Sequence, residues 1–192
     1  MKNSLYTTIC SGKYRGKKLL LPSLNSTRST KSIVKESFFN TIQFEIVNSI
    51  FVEVFAGSGS VGLEALSRGA KKIYFIEKDT DAYKILLQNI KSIDDEKCIA
   101  VLADSFTEFP KLLKKINKKA YFYFDPPFSI RDGMDEIYLK TYNLIENIPI
   151  EICELVSIEH ISDIVPPQNI ADYKKIKSKK FGKTTISYYK YT

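Results

Sequence analysis

The chain has 192 residues, of which 44% are hydrophobic and 27% are charged, and it carries a formal net charge of +7. This length suits one sizeable core, and the composition is ordinary for a globular protein. No apolar run approaches the length of a bilayer span, the first residues lack the apolar core of a signal peptide, and the cysteine usage fits a reducing compartment, so a cytoplasmic protein is predicted. Three widely spaced cysteines predict neither a disulfide framework nor a metal cluster.

The positive charge is concentrated at the two ends of the chain. Residues 1–40 carry a net charge of +7, residues 173–192 carry another +7, and the segment between them carries −7. Basic flanks around an acidic centre predict that the ends bind a polyanion. The alternative interpretation, above all for the C-terminal lysines, is a solvated lysine-rich face.

The first elements are predicted to be a short basic hairpin and a helix. The hairpin covers residues 8–22, with strands over 9–14 and 19–21 and a turn near Arg15. The helix begins at Ser29 or Thr30, because either hydroxyl can cap it, and apolar residues then share one side. These residues are Ile33, Val34, Phe38 and Ile42.

From residue 50 onward, strands and helices alternate, which predicts a parallel sheet wrapped by helices. The predicted strands cover residues 50–55, 72–76, 98–102, 121–124 and 152–158. The predicted helices cover residues 61–67, 79–90, 110–117 and 132–146. Residues 173–191 around Gly182 predict a terminal antiparallel hairpin. The fold class is therefore α/β, with a Rossmann-like, mostly parallel sheet, a C-terminal hairpin, and a small N-terminal hairpin and helix.

A glycine-rich loop, residues 57–62, follows the first strand of this sheet and opens a helix. Glycines let a backbone turn tightly and approach a ligand closely. Glu77 closes the next strand, where a carboxylate can accept hydrogen bonds from two ribose hydroxyls. Asp104 and Ser105 close the third strand, where a polar pair can meet an adenine edge. Three such strand ends at one sheet edge predict a cofactor that contains adenosine.

The cofactor is predicted from a second feature, the turn Asp125-Pro126-Pro127-Phe128 after an aromatic strand. Two prolines break the chain there and leave a carboxylate, a carbonyl and a ring at the strand end. A flat nucleobase with an exocyclic amine needs such acceptors, whereas a hydride transferase has no evident use for them. A nicotinamide dinucleotide also needs a pyrophosphate on the helix start, whereas S-adenosylmethionine has an amino group that suits the negative charge of Glu53.

Several segments resemble the class I S-adenosylmethionine-dependent methyltransferases, and more narrowly the RsmD-type enzymes that methylate guanine N2 in small-subunit (16S) ribosomal RNA. The resemblance covers nearly the whole chain. Its segments are residues 12–19, 28–30, 34–40, 55–59, 62–69, 76–79 and 125–128. The chain departs from the usual family pattern at Tyr14, Ser29 and Glu53, where the family has Trp, Pro and Asp.

The resemblance implies a role for each segment. The cofactor-binding residues are Thr30, Glu53, Phe55, Ala56, Gly57, Ser58, Gly59, Glu77, Lys78, Asp104 and Ser105. The catalytic residues are Asp125, Pro126, Pro127 and Phe128. The RNA-binding residues are Lys13, Arg15, Lys17, Lys18, Arg28, Lys31 and Lys35. Residues 1–45 are expected to bind RNA and cover the cofactor, and residues 46–192 to form the methyltransferase domain.

The implied reaction converts S-adenosyl-L-methionine to S-adenosyl-L-homocysteine without a metal. Asp125 and the Pro126 carbonyl accept the two amine hydrogens and direct the nitrogen lone pair at the methyl group, while Phe128 stacks on the base. The structural alternatives are a helix cap for Asp125 and a core position for Phe128. The expected partner is ribosomal RNA, within the small subunit or an assembly intermediate, with no membrane involved.

Three other functions stay open at this point. An adenine-N6 or other exocyclic-amine methyltransferase acting on DNA or RNA would share the loop and the proline turn. A nicotinamide dinucleotide oxidoreductase and a non-enzymatic RNA-binding assembly factor are the others. His160, the only histidine, has no partner pattern and is expected at the surface or in a loop.

Overall fold

The computed structural model describes residues 5–22, 28–93, 96–127 and 134–192. The elements in chain order are β1 (Tyr6–Thr8), β2 (Lys18–Leu20), α1 (Arg28–Thr41), β3 (Ile50–Glu53), α2 (Ser60–Ser67), β4 (Lys72–Glu77), α3 (Thr80–Lys91), β5 (Cys98–Leu102), α4 (Ser105–Leu113), β6 (Ala120–Phe124), α5 (Met134–Glu146), a 3₁₀ turn (Ile150–Ile152), β7 (Cys153–Ile161), β8 (Asn169–Ile170), β9 (Tyr173–Phe181) and β10 (Thr184–Tyr191).

Strands β3 to β10 form one eight-stranded sheet in the order β5-β4-β3-β6-β7-β10-β9-β8. The first five of these positions are parallel, and β10 returns antiparallel to β7. The predicted mostly parallel sheet with a terminal hairpin is confirmed. Within this sheet, the chain enters at β3, runs outward through β4 to β5 and then crosses back to β6 on the other side of β3. The connections therefore diverge between β3 and β6. This is the switch point of an open α/β sheet, where a crevice forms at the carboxyl ends of the strands.

Each face of the sheet carries an apolar layer. Helices α1, α2 and α3 cover one face, where Phe38 packs edge-on against Tyr123 with ring centroids 4.9 Å apart. Helices α4 and α5 cover the other face, where Phe109 packs edge-on against Phe124 at 5.4 Å. Successive residues of β6 therefore serve opposite layers, and all five residues of this strand are buried. Burial on both faces holds the end of β6, which leads into the proline turn, in a fixed place.

Helix α4 begins earlier than predicted. The Asp104 side chain caps it, because its Oδ1 accepts a hydrogen bond from the Phe106 N–H at 2.8 Å. Pro110 therefore lies in the second turn of the helix, and the prediction that it marks the first turn is wrong. A capping aspartate after a strand is the stronger start signal here, because its carboxylate binds a free backbone N–H of the first turn. Proline is merely tolerated in the first turn, because it has no N–H to satisfy.

Strand β7 is longer than predicted, and this changes the place of His160. The strand continues to Ile161 because β10 pairs along it as far as Thr184. His160 is consequently 2% exposed, with Nδ1 2.9 Å from the Ile161 carbonyl and Nε2 2.9 Å from Ser187 Oγ. Burial lowers the pKa of this imidazole. The expectation of a surface or loop histidine is wrong, because strand pairing carries it into the sheet.

The basic hairpin consists of the short strands β1 and β2 joined by a long turn, and a buried carboxylate anchors it. Glu64 of α2 is fully buried and accepts hydrogen bonds from the backbone N–H groups of Cys10, at 2.7 Å, and Ser11, at 3.0 Å. Its other partners are Arg68 Nε, at 2.8 Å, and Lys35 Nζ, at 3.4 Å. The hairpin and α2 therefore share one satisfied ionic cluster.

A second contact fixes the start of the hairpin turn. Gly12 has φ +84°, and a Cβ on it would lie 1.9 Å from the Ser67 carbonyl oxygen. That carbonyl accepts the Lys13 N–H at 2.8 Å, and Ser67 Oγ donates to the Ser11 carbonyl at 2.6 Å. The turn lies so close to the end of α2 that only glycine fits.

Among the residues with described placement, no helix is long and apolar enough to cross a bilayer.

We expect Glu64→Gln to destabilise the protein by about 3 kcal/mol, because it leaves the buried Lys35 ammonium without its counter-charge. Chemical denaturation measures the change. Glu136→Gln is the matched control, because its pair with Lys140 is exposed and should be worth less than about 1 kcal/mol. Equal effects of the two substitutions would contradict the anchoring role of Glu64.

Candidate functional site

A cavity of about 340 Å³ opens at the carboxyl ends of β3, β4, β5 and β6, at the switch point of the sheet. Two sets of predicted residues line it together. The predicted cofactor residues in its lining are Phe55, Gly57, Glu77, Lys78, Asp104 and Ser105. The predicted catalytic residues in its lining are Asp125, Pro126 and Pro127. The glycine loop and the proline turn thus face the same space.

Glu77, at the end of β4, holds the cavity floor together. Its Oε2 accepts the Gly57 N–H at 2.6 Å, and its Oε1 accepts the Asp79 N–H at 2.7 Å. Each carboxylate oxygen has a second lone pair, so both remain able to accept a hydroxyl from a ligand. Gly57 has φ +53°, and a Cβ on it would meet no described atom within 4 Å. The backbone of Gly57 therefore faces open space beside the carboxylate.

The other two glycines of the loop are needed for packing beneath it. A Cβ on Gly59 would lie 2.3 Å from Leu86 Cδ1, and one on Gly62 would lie 2.4 Å from Phe75 Cε1. The start of α2 therefore sits directly on the core. Gly59 lies outside the cavity's described lining, as do the predicted cofactor residues Ala56 and Ser58.

Glu53, predicted to meet the cofactor, is 4% exposed and lies below the loop. Its Oε2 accepts the Gly62 N–H at 2.8 Å, in the first turn of α2. Burial raises the pKa of the Glu53 carboxyl to about 8, with a smaller contribution from the Asp125 charge, while the N–H groups of Gly62 and Val61 oppose the shift. Glu53 therefore binds the helix start and lies outside the described lining of the cavity.

The rim beside β5 combines polar groups with aromatic rings. Asp104 lies 4.0 Å from Lys78 Nζ through its second carboxylate oxygen. Ser105 Oγ donates to the Val54 carbonyl, which ties the start of α4 to the strand before the glycine loop. The Phe55 and Phe106 rings pack 5.6 Å apart. Carboxylate, hydroxyl and flat apolar surface together suit a purine ring with polar edges.

The proline turn forms the opposite rim. Asp125 is half-buried, Pro126 is buried and Pro127 is exposed. Behind them, Tyr123 Oη donates to Glu159 Oε2 at 2.6 Å, and both side chains are buried. Burial, followed by the nearby charge of Glu159, raises the pKa of the Tyr123 hydroxyl well above its ordinary value, so it stays a donor. Phe128 lies outside the residues that the structure describes.

The predicted RNA-binding residues separate into exposed and buried groups. Lys13, Arg15, Lys17 and Lys18 are exposed on the hairpin. Lys35 is 4% exposed, and its Nζ donates to the Thr8 carbonyl at 3.0 Å besides pairing with Glu64. The prediction of a phosphate contact for Lys35 is therefore corrected, because its charge is used inside the protein. The side chains of Arg28, Thr30 and Lys31 lie outside the described residues.

Three lining residues were not predicted as site residues: Ile76, Asp79 and Phe106. Ile76 and Asp79 flank the predicted Glu77 and Lys78, and Phe106 directly follows Ser105. Asp79 also caps α3, since its Oδ1 accepts the Asp81 and Ala82 N–H groups. Their position next to a strand end is the signal that could have identified them.

Among the described residues, no group of three or more His, Cys, Asp or Glu side chains could hold a metal ion.

Comparison with known proteins identifies the family. The family model described as conserved hypothetical protein 95 matches residues 7–190. The ribosomal RNA small subunit methyltransferase D of Haemophilus influenzae is 33% identical over 167 residues, which cover 84% of this chain and 83% of that protein. The chain belongs to this methyltransferase D family.

Two further family comparisons agree. The Escherichia coli (strain K12) ribosomal RNA small subunit methyltransferase D is 34% identical over 139 residues, covering 72% of this chain and 66% of that protein. The solved structure of the methyltransferase candidate yhhF from Escherichia coli matches with a TM-score of 0.77 and 28% identity, covering 96% of this chain and 97% of that one. The predicted family resemblance and the class I methyltransferase fold are confirmed.

The described lining of the cavity suits S-adenosylmethionine, the cofactor that the family resemblance implies. Glu77 offers two oxygens to vicinal hydroxyls, the Asp104 and Phe106 rim offers polar and flat surfaces to an adenine, and Gly57 leaves the backbone open between them. In the described lining, four carboxylates, those of Glu77, Asp79, Asp104 and Asp125, stand beside one lysine, Lys78. This excess of negative charge complements a sulfonium cation and an amino group.

We expect the free energy of unfolding to fall as pH rises from about 4.5 to about 8, because the Glu53 carboxyl ionises in the unfolded chain before it ionises in the folded one. Glu53→Gln removes this titration. The difference in stability between wild type and variant should therefore change by on the order of 3 kcal/mol between pH 5 and pH 8, in favour of the variant at high pH. Denaturant titrations at both pH values measure it, and parallel pH curves would contradict the shifted pKa.

Proposed function

We propose that the protein transfers a methyl group from S-adenosyl-L-methionine to the exocyclic N2 amine of a guanine in small-subunit ribosomal RNA. The observation that carries the proposal is the shared cavity, in which the proline turn faces the glycine loop and Glu77. Membership of the methyltransferase D family supports ribosomal RNA as the substrate. S-adenosyl-L-homocysteine is the expected second product.

The residues of the loop side would hold the cofactor. Glu77 would accept hydrogen bonds from the ribose hydroxyls, and Asp104 with Ser105 would meet the adenine edge. Phe55 and Phe106 would line the adenine faces, and Lys78 would cover the rim. S-adenosylmethionine, when bound, supplies a methyl group on a positively charged sulfur.

The proline turn would position the guanine. A guanine amine is a poor nucleophile because its lone pair is delocalised into the ring. Asp125 and the Pro126 carbonyl would accept its two hydrogens and favour the tetrahedral nitrogen. With the methyl donor bound, the nitrogen lone pair would form the new N–C bond as the C–S bond breaks, and the Asp125 carboxylate would accept the surplus proton of the amine. Positioning and fixed acceptors would supply most of the acceleration.

A specific contact disfavours a nicotinamide dinucleotide. A pyrophosphate binds the free N–H groups at a helix start. At the start of α2, the Gly62 N–H is bound by the Glu53 carboxyl at 2.8 Å, and the Val61 N–H also acts on that carboxyl. The helix start is therefore occupied from within, and a pyrophosphate would also face the carboxylates of the cavity.

The remaining alternatives differ in the product. An adenine-N6 methyltransferase would use the same cavity, and digestion of the methylated RNA to nucleosides separates it from a guanine-N2 enzyme. An RNA-binding assembly factor would bind RNA without turnover.

The decisive experiment incubates the protein with radiolabelled methyl donor and small ribosomal subunits that lack the modification, and then maps the label. Label on a guanine N2 supports the proposal, and label elsewhere or none overturns it.

The exposed cations of the hairpin (Lys13, Arg15, Lys17 and Lys18) would contact RNA phosphates. The hairpin with α1 would form the RNA-binding part, residues 1–45, and residues 46–192 the methyltransferase part. Small ribosomal subunits or their assembly intermediates, in the cytoplasm, would be the partner. No metal is required by this chemistry.

We expect Asp125→Ala to lower kcat by at least about 100-fold while S-adenosylhomocysteine binds with nearly unchanged affinity, because the variant loses an acceptor for the reacting amine. Single-turnover methylation and calorimetric titration measure the two effects. Asp172→Ala is the matched control, since that aspartate is exposed in the turn before β9. Full turnover by Asp125→Ala would exclude the catalytic role.

We expect Glu77→Ala to weaken S-adenosylmethionine binding by about 10- to 100-fold, because it removes two ligand acceptors and releases the Gly57 N–H. Glu77→Gln keeps one acceptor oxygen and should lose less. Calorimetric titration measures both affinities. An unchanged affinity of Glu77→Ala would show that the cofactor lies elsewhere.

We expect RNA affinity to fall as salt rises, and the double variant Lys17→Ala, Lys18→Ala to lower the slope of log K against log salt by about 1.5. Filter binding at several salt concentrations measures the slope. Lys114→Ala, Lys115→Ala is the matched control, because these exposed lysines follow α4, which packs on the face of the sheet opposite the hairpin. Equal slopes for both double variants would exclude the hairpin contacts.

A further inference from the structure

Asn89, near the end of α3, joins the basic hairpin to the glycine loop. It is 2% exposed. Its Oδ1 accepts the Leu20 N–H at 2.8 Å, and its Nδ2 donates to the Leu20 carbonyl at 3.0 Å. The same Nδ2 donates to the Ser58 carbonyl at 2.9 Å. One buried amide therefore binds a strand of the hairpin and a peptide group of the loop.

The loop is held from two sides at consecutive residues, Gly57 and Ser58. Glu77 binds the Gly57 N–H from the cavity, and Asn89 binds the Ser58 carbonyl from beneath the hairpin. Gly57 and Gly59 both have positive φ, which glycine adopts without steric cost, so the contacts to the loop fix which of its allowed conformations it takes. A change at either contact alters the backbone that the cofactor would meet.

The hairpin end of this connection lies close to exposed positive charge. Leu20 is in β2, which begins at Lys18, and Lys17 precedes it; both lysines are exposed. RNA bound at these lysines would hold β2 in place. Because β2 and the loop share the Asn89 amide, holding one of them also holds the other.

We propose that Asn89 is a positioning residue that makes RNA binding at the hairpin and S-adenosylmethionine binding at the loop favour each other. This inference rests on the proposed function. If β2 is displaced, the Asn89 amide must lose its hydrogen bonds either to Leu20 or to Ser58. Either loss is costly, because it leaves a buried polar group without its partner. Binding linkage is reciprocal, so each ligand strengthens the other by the same factor.

The test measures two affinities in each direction. The dissociation constant of small ribosomal subunits lacking the modification is measured with and without saturating S-adenosylhomocysteine, and that of S-adenosylhomocysteine with and without subunits. Wild type should show the same factor of about five or more in both directions. A factor of one in wild type overturns the proposal without any variant.

Asn89→Ala should lower the factor towards one. Asn89→Leu, which fills a similar volume but has no donor for the Ser58 carbonyl, should do the same if Asn89→Ala does not fold. Ser67→Ala is the matched control: it removes hairpin contacts to Ser11 and Tyr14 but does not touch the loop. It should keep the factor even if RNA binds more weakly.

Two results with the variants would also overturn the inference. One is an unchanged factor in a folded Asn89 variant, and the other is an equal loss in Ser67→Ala, which would make the effect one of general hairpin stability. Methylation of the subunits by wild type is assayed in parallel. Turnover without linkage contradicts only the role of Asn89, whereas absence of turnover and of cofactor binding contradicts the proposed function itself.

Discussion

The carboxylate of Glu77 is the constraint on which the site depends. It binds the Gly57 N–H and the Asp79 N–H at once, and so ties the loop after β3 to the start of α3 after β4. A parallel sheet brings the ends of neighbouring strands together but does not fix the loops that leave them. Here one side chain fixes two of these loops. The cavity between them keeps its shape because that carboxylate is satisfied from both sides.

The alternation of strands and helices was readable from the sequence because apolar runs, turn residues and caps agreed with one another. Strand β5 has its predicted bounds, the terminal hairpin covers its predicted residues 173–191, and Asp79, the first residue of a predicted helix, caps α3. The same agreement predicted which strand ends carry polar residues. Since parallel strands share one edge, Glu77, Asp104 and Asp125 could be placed together without coordinates.

What the sequence could not reveal is how ionisable groups are shared between elements distant in the chain. Lys35 looks like one more surface cation, yet its charge is neutralised by Glu64 inside the protein. Glu53 looks like a ligand group, yet it binds the start of α2. His160 was misplaced because only the pairing with β10 shows how far β7 extends. In each case tertiary contacts, which composition and spacing do not encode, decide whether a charged side chain meets solvent.

If the protein acts as proposed, the two prolines of the turn would also favour one edge of a base at this rim. Proline has no amide hydrogen, so the backbone at Pro126 and Pro127 presents carbonyl oxygens and no donor. A purine that approaches with O6 or N7 finds nothing at these positions to satisfy those atoms, and their desolvation goes uncompensated. A purine that approaches with its amino group meets acceptors instead. Selectivity for an amine over a carbonyl would then depend on the prolines themselves, because replacing either one by another residue would restore a backbone N–H donor.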